Sequence, residues 1–180
     1  MTDIDIVLHQ GALPSVPVSV DNPAATHRHC VDATFTLLLA ARDAGIKRFV
    51  YAASSSAYGD SPVMPKVETM PDNPLSPYAV AKLTGEHYCS VFYKVFGLET
   101  ISLRHFNVFG PYQDPSSQYA AAIPAFVTSI LKDTPPTIYG DGEQSRDFTY
   151  IDNVVQANLL AAKVPETQGQ TVNIACGKAV

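Results

Sequence analysis

The chain has 180 residues, 46% hydrophobic and 16% charged, with a formal net charge of -5. That balance describes a globular protein, excludes a disordered chain, and offers no basic block for nucleic acid or an anionic membrane. No apolar run reaches the roughly 18 residues of a membrane span, Met1-Thr2-Asp3 reads as no signal peptide, and three scattered cysteines (Cys30, Cys89, Cys176) suit a reducing cytoplasm rather than a disulfide or zinc framework.

In chain order, IDIVLH (4–9) is a β-branched, strand-like run. Asn22-Pro23 supplies a capping residue and a first-turn proline, and the helix it starts carries a stripe of Val31, Phe35, Leu38 and Leu39 before Gly45 ends it. RFVYAAS (48–54) is almost unbroken apolar sequence, as a parallel strand buried on both faces requires. A second helix is predicted from Ser76-Pro77 to near Gly97, then a strand over ETISLRHF (99–106). This β-α-β-α-β rhythm predicts an α/β fold with a parallel sheet. After Gly110 the chain turns polar and rich in proline and glycine. A helix at about 121–132, another at about 152–163 and a closing strand TVNIA are expected there. Residues 1–110 therefore read as a sheet core. Residues 111–180 read either as a substrate-side region or as a rim that merely covers the sheet.

Ligands of open parallel sheets bind at the carboxyl ends of the strands. Ser54, Ser55 and Ser56 fall at such an end, where three hydroxyls can bond a polyol or carbonyl without adding charge; a serine-rich turn explains them equally well. In NPLSPYAVAK, Ser76 is the expected N-cap and Pro77 the first helical residue, so Tyr78 and Lys82 share a face at i and i+4. Val80, Leu83, His87 and Val91 form another face, expected to pack on the sheet. A tyrosine with a pKa of about 10 must be favoured as phenolate by about 4 kcal/mol to act as a base near pH 7. A nearby ammonium and a helix N-terminus both act in that direction. Spacing alone does not separate a catalytic couple from two residues sharing a helix face. His27 and His29 lie on different helix faces and suggest no metal, while Asp141 and Glu143 read as solvated loop charges.

The serine cluster at a buried strand's end, followed by this helix, resembles the extended short-chain dehydrogenase/reductases, the NAD-dependent epimerase/dehydratase family. The stretches HQGALPSVPVSV, LRHFNVFGPYQDP, YAAAIPAF and GDGEQSRDFTYIDNV extend the likeness over nearly the whole chain, nearest to UDP-hexose 4-epimerases, including those acting on UDP-N-acetylhexosamines. The resemblance implies a partial Rossmann-like, doubly wound sheet: an NAD-binding core over 1–110 with the catalytic residues, and an incomplete nucleotide-sugar region over 111–180. It implies Ser54, Tyr78 and Lys82 as catalytic residues, Tyr78 as base and Lys82 as holder of the nicotinamide ribose. His105 would join these three at the cofactor. Ser55, Ser56, Asn107, Ala121, Ile138, Tyr139 and Arg146 would bind substrate: the serines at the sugar, Asn107 and Arg146 at the diphosphate, Ile138 and Tyr139 around uracil, and Ala121 on the sugar-pocket wall. Ser55-Ser56 replace the Asp-Glu usual in dehydratases, which favours epimerisation through a transient 4-keto sugar.

The sequence also departs from that family. None of the ten glycines forms the G-x-G-x-x-G that would receive the NAD pyrophosphate, so the chain is expected to begin at the family's fourth strand. His29-Cys30 stand at usual asparagines, His105 at a usual tyrosine, Ala33 at a usual glycine and Val18 at a frequent arginine. An edge strand stripped of its neighbours predicts a homo-oligomer or a complementing chain. The alternative to an epimerase is a non-catalytic chain retaining a UDP-sugar-binding or oligomerisation surface.

Overall fold

The first strand, β1 (Ile6–His9), is followed by two short helices, α1 (Val16–Asp21) and α2 (Pro23–His27), a π-helical turn over Arg28–Asp32, and α3 (Ala33–Asp43). The computed structural model describes residues 4–114, 122–138 and 140–180. Asn22 caps α2 as expected, its Oδ1 accepting from Ala25 N at 3.0 Å, with Pro23 in the first turn. The preceding α1 was not anticipated: Ser15 caps it and Pro17 lies in its first turn. Then come β2 (Arg48–Ser54), a 3-10 turn (Ser55–Tyr58), α4 (Pro77–Phe96), β3 (Glu99–His105), β4 (Asn107–Phe109) and α5 (Ala122–Leu131). Strand β5 (Phe148–Tyr150), α6 (Ile151–Lys163) and β6 (Gln170–Ile174) complete the described chain.

Among the described residues all strand pairs are parallel. The main sheet has the order β1-β2-β3-β6, and β4 pairs with β5 in a separate two-stranded sheet. The short β4–β5 ribbon had no clear signal in the sequence, because three-residue strands carry too few side chains to show a period. Although α6 and β6 come from the loop-rich half of the sequence, α6 packs on β2 and β6 extends the main sheet beside β3.

On one sheet face Phe49 and Tyr51 pack with Leu38 and Ala41 of α3 and with Cys89 and Phe92 of α4. On the other, Val50, Ile101 and Leu103 meet Ala161 of α6. Each large apolar side chain buried in this way contributes about 1.5–3 kcal/mol. Arg48 is buried too, and it is fully occupied. It pairs with Glu99 and donates to Ala161 O at 3.2 Å and Ala162 O at 3.1 Å, capping the C-terminal end of α6.

Helix α4 starts where expected, with Ser76 Oγ accepting from Ala79 N at 3.1 Å, and ends at Gly97, whose φ of 71° suits the left-handed cap. Its orientation, however, reverses the sequence expectation. The face against the sheet carries Ala79, Lys82, Gly85, Glu86, Cys89 and Phe92, while Val80 and Val91 are 50% and 47% exposed. Two features decide this. Gly85 leaves room for Tyr51, whose Oη would lie 2.3 Å from any Cβ built there. The buried polar groups also find partners inside: Lys82 on a strand carbonyl and Glu86 on Arg104. Among the described residues no helix is long and apolar enough to cross a membrane.

Candidate active site

The carboxyl ends of β2 and β3 bring Ser54 and His105 side by side as register partners. The first turn of α4 sets Tyr78 against Ser54. Two cavities, of about 610 and 750 Å³, share Ser54, Tyr78, His105, Asn107 and Arg146 in their walls. Gln10, Ala12, Pro14 and Lys82 belong to the first, and Ser55, Ser56 and Lys66 to the second. The hydroxyls of Ser54 and Tyr78 therefore stand at the junction of two spaces.

Ser54 Oγ accepts from Ser56 N at 3.2 Å and from Ser56 Oγ at 2.9 Å. With its oxygen engaged twice, Ser54 directs its own hydrogen to Tyr78, a bond that favours the phenolate. Lys82 Nζ donates to Ala52 O at 2.8 Å and lies 5.0 Å from the centre of the Tyr51 ring. It is not among the groups that shift Tyr78. Burial raises the Tyr78 pKa above its ordinary value, with the Ser54 bond opposing and Cys30 adding to the rise. The Lys82 ammonium itself is turned to the strand carbonyl of Ala52. Burial also lowers the Lys82 pKa, while Cys30 and Glu86 hold it up.

His9 and His105 flank this lysine. Both imidazoles are lowered to about 4, first by burial and second by the Lys82 charge, so both are neutral near pH 7. His9 Nε2 donates to Thr34 Oγ1 at 2.9 Å, because that hydroxyl spends its hydrogen on Cys30 O at 2.6 Å. His105 Nε2 is buried without a hydrogen-bond partner among the described residues. An ammonium has three donors, and the described residues engage Lys82 Nζ once. The unused donors and the orphaned imidazole nitrogen, both on one cavity wall, fit the polar edge of a dinucleotide such as NAD.

Asn107 donates twice to Asp147 O, from its backbone N at 3.2 Å and from Nδ2 at 3.1 Å. Its amide nitrogen is therefore turned toward protein. Arg146 is exposed, donates to Ser145 O at 2.8 Å and lines both cavities. Ile138 is 60% exposed and borders neither cavity. Ala121 and Tyr139 lie outside the described residues. Several residues at the site escaped sequence reasoning. Cys30, noted above only as a scattered cysteine and as a departure from the family's usual asparagine, reaches the electrostatic surroundings of Tyr78 and Lys82 from the π-helical turn. Glu86 lies one turn beyond Lys82 at the same i+4 spacing that joins Lys82 to Tyr78, and Arg104 immediately precedes His105. Those positions were the available signal.

The family model for the NAD dependent epimerase/dehydratase family matches residues 1–175. The chain belongs to that family. Its sequence is 36% identical over 174 residues to a UDP-glucose 4-epimerase of Mycolicibacterium smegmatis, covering 96% of this chain and 55% of the relative. Its fold matches a UDP-N-acetylglucosamine 4-epimerase from Methanobrevibacter ruminantium, solved with UDP-N-acetylmuramic acid, at a TM-score of 0.94 and 43% identity, covering 98% of this chain and 56% of that one. It matches a Thermotoga maritima UDP-glucose 4-epimerase, solved with UDP-glucose, at 0.93 and 35% identity, covering 98% and 57%. The chain spans about half the length of the curated relatives it matches.

Proposed function

We propose that this chain carries the catalytic centre of a nucleotide-sugar 4-epimerase that interconverts C4 epimers of UDP-glucose or UDP-N-acetylglucosamine. The observation that carries the reading is the meeting of Ser54 and Tyr78 at the junction of two cavities, with Lys82 in the wall of one of them, at the carboxyl end of a parallel sheet. Tyr78 Oη takes the proton of the sugar 4-hydroxyl, and Ser54, its oxygen held by Ser56, donates to the oxygens between which that proton moves. Ser55 and Ser56 line the larger cavity and offer neutral hydroxyls to the sugar. Arg146, with Asn107 holding the carbonyl of the next residue, Asp147, meets the diphosphate. Bound NAD would supply reversible hydride chemistry at the sugar C4, with no net oxidation. Lys82 and His105 would hold its ribose and nicotinamide end. Tyr78, raised by burial, gains its phenolate character when positive charge enters the space beside it.

Tyr78→Phe tests this directly: it should abolish C4 epimerisation and leave the melting temperature within a few degrees of the parent. Turnover that survives the substitution removes Tyr78 from its role. A second reading, a nucleotide-sugar-binding chain without turnover, is favoured by the raised pKa of Tyr78. It predicts UDP-sugar affinity without epimer.

The chain works, on this proposal, as an oligomer or with a complementing polypeptide. Strand β1 is paired on one side only among the described residues, and Ile6 and Leu8 on it are 36% and 43% exposed. Sedimentation should show self-association or a heterocomplex; a stable, cooperatively melting monomer contradicts it. Free thiols at Cys30, Cys89 and Cys176 fit a cytoplasmic location.

A further inference from the structure

Asp147 stands in the wall of the larger cavity, yet both of its carboxylate oxygens are spent on protein N–H groups. It is 6% exposed. Oδ1 accepts from Cys176 N at 2.9 Å and Oδ2 from Gly177 N at 2.7 Å, so the carboxylate closes the turn that follows β6. Its own carbonyl receives both donors of Asn107, at 3.2 and 3.1 Å, which ties it to the start of β4. Its neighbour Arg146 is pinned in turn, since Arg146 N donates to Val180 O at 2.9 Å and Val180 N to Arg146 O at 3.0 Å. The backbone of the one arginine shared by both cavity walls is thus fixed from two directions, while its side chain is exposed.

We propose that Asp147 is the positioning residue for Arg146: by clipping the 176–177 turn to β5 it fixes where the guanidinium meets the diphosphate of a nucleotide sugar. The inference rests on the nucleotide-sugar reading of the site and deepens it. A carboxylate is needed because both N–H groups require an acceptor. Asparagine would present an amide N–H to one of them, and the turn would open. An arginine recognises a diphosphate through a fork of fixed geometry, so displacing its backbone by about 1 Å costs binding even though every ligand-facing group remains.

The test is UDP binding by calorimetry to the full chain and to Asp147→Asn, Arg146→Ala and the double variant. Asp147→Asn should weaken UDP binding about tenfold, and the double variant should bind no more weakly than Arg146→Ala alone, since Asp147 acts through that side chain. A merely structural Asp147 would make the two losses add. Additive losses, or undiminished binding in Asp147→Asn, overturn this assignment alone. A parent chain without UDP affinity overturns the nucleotide-sugar reading and the assignment with it. Should Asp147→Asn not fold, Asp147→Glu, which keeps the charge and moves the oxygens by one methylene, must show the same non-additive loss.

Discussion

Acidification should unfold this protein through its two buried imidazoles, and His9 allows the effect to be isolated. In the folded chain His9 is held at about 4, against an ordinary 6.5, by burial and by Lys82. Its neutral form is therefore the native one. Above pH 6.5 neither state binds the proton and stability is full; as pH falls from 6.5 toward 4 the unfolded chain takes up a proton that the folded chain refuses, and stability drops. With 1.36 kcal/mol per pKa unit, the loss attributable to His9 is about 2 kcal/mol by pH 5 and about 3 kcal/mol by pH 4. His105 is lowered to about 4 as well and adds a similar loss in the same window. Glutamine at position 9 keeps a donor for Thr34 Oγ1 but does not titrate. Urea unfolding followed by circular dichroism from pH 7.5 to 4.5 should give His9→Gln a shallower decline than the parent, the curves diverging by about 2 kcal/mol at pH 5. Carboxylate titrations and the His105 contribution are common to both proteins and cancel in the difference. Parallel curves would refute the reasoning, since they would mean that His9 is as free to protonate folded as unfolded.

Two further substitutions test how α4 is seated. Gly85→Ala places a methyl 2.3 Å from Tyr51 Oη and 2.4 Å from Cζ, so the helix or the ring must move; a loss of about 1–3 kcal/mol in chemical denaturation is expected, and an unchanged midpoint would mean that the contact relaxes freely. Glu86→Ala leaves Arg104 with Asp72 as its remaining carboxylate, after losing bonds of 3.0, 3.0 and 2.7 Å to Glu86. Removing one partner of so buried a pair costs about 3–5 kcal/mol, and adding Arg104→Met should return part of that loss; a double variant weaker than the single one contradicts the account.

The sequence showed the first strands plainly because RFVYAAS is almost unbroken apolar sequence, and because Ser76-Pro77 and Gly97 mark both ends of α4 and so leave ETISLRH to start the next strand. It misled on the face of α4. A periodicity argument assigns the valines inward, whereas Gly85, Lys82 and Glu86 point inward because Tyr51, Ala52 O and Arg104 wait for them, and no local pattern shows those partners. The proposed trio of Ser54, Tyr78 and Lys82 comes from motif resemblance, and the fold places Ser54, Tyr78 and Lys82 in the wall of one cavity. The direction of the Tyr78 pKa was not legible, since it depends on how deeply the ring is buried, which follows from packing. The ribbon β4–β5 and the Asp147 hub were hidden for the same reason: their bonds join residues about 30 to 40 positions apart.

The central claim is that Ser54, Tyr78 and Lys82 form an epimerase centre within this chain. Incubating the chain with NAD and either UDP-glucose or UDP-N-acetylglucosamine, and resolving the sugar epimers by chromatography, tests it most directly. The account predicts the C4 epimer with the parent chain and none with Tyr78→Phe. No epimer from the parent with either sugar, together with NAD binding no tighter than millimolar, would contradict it.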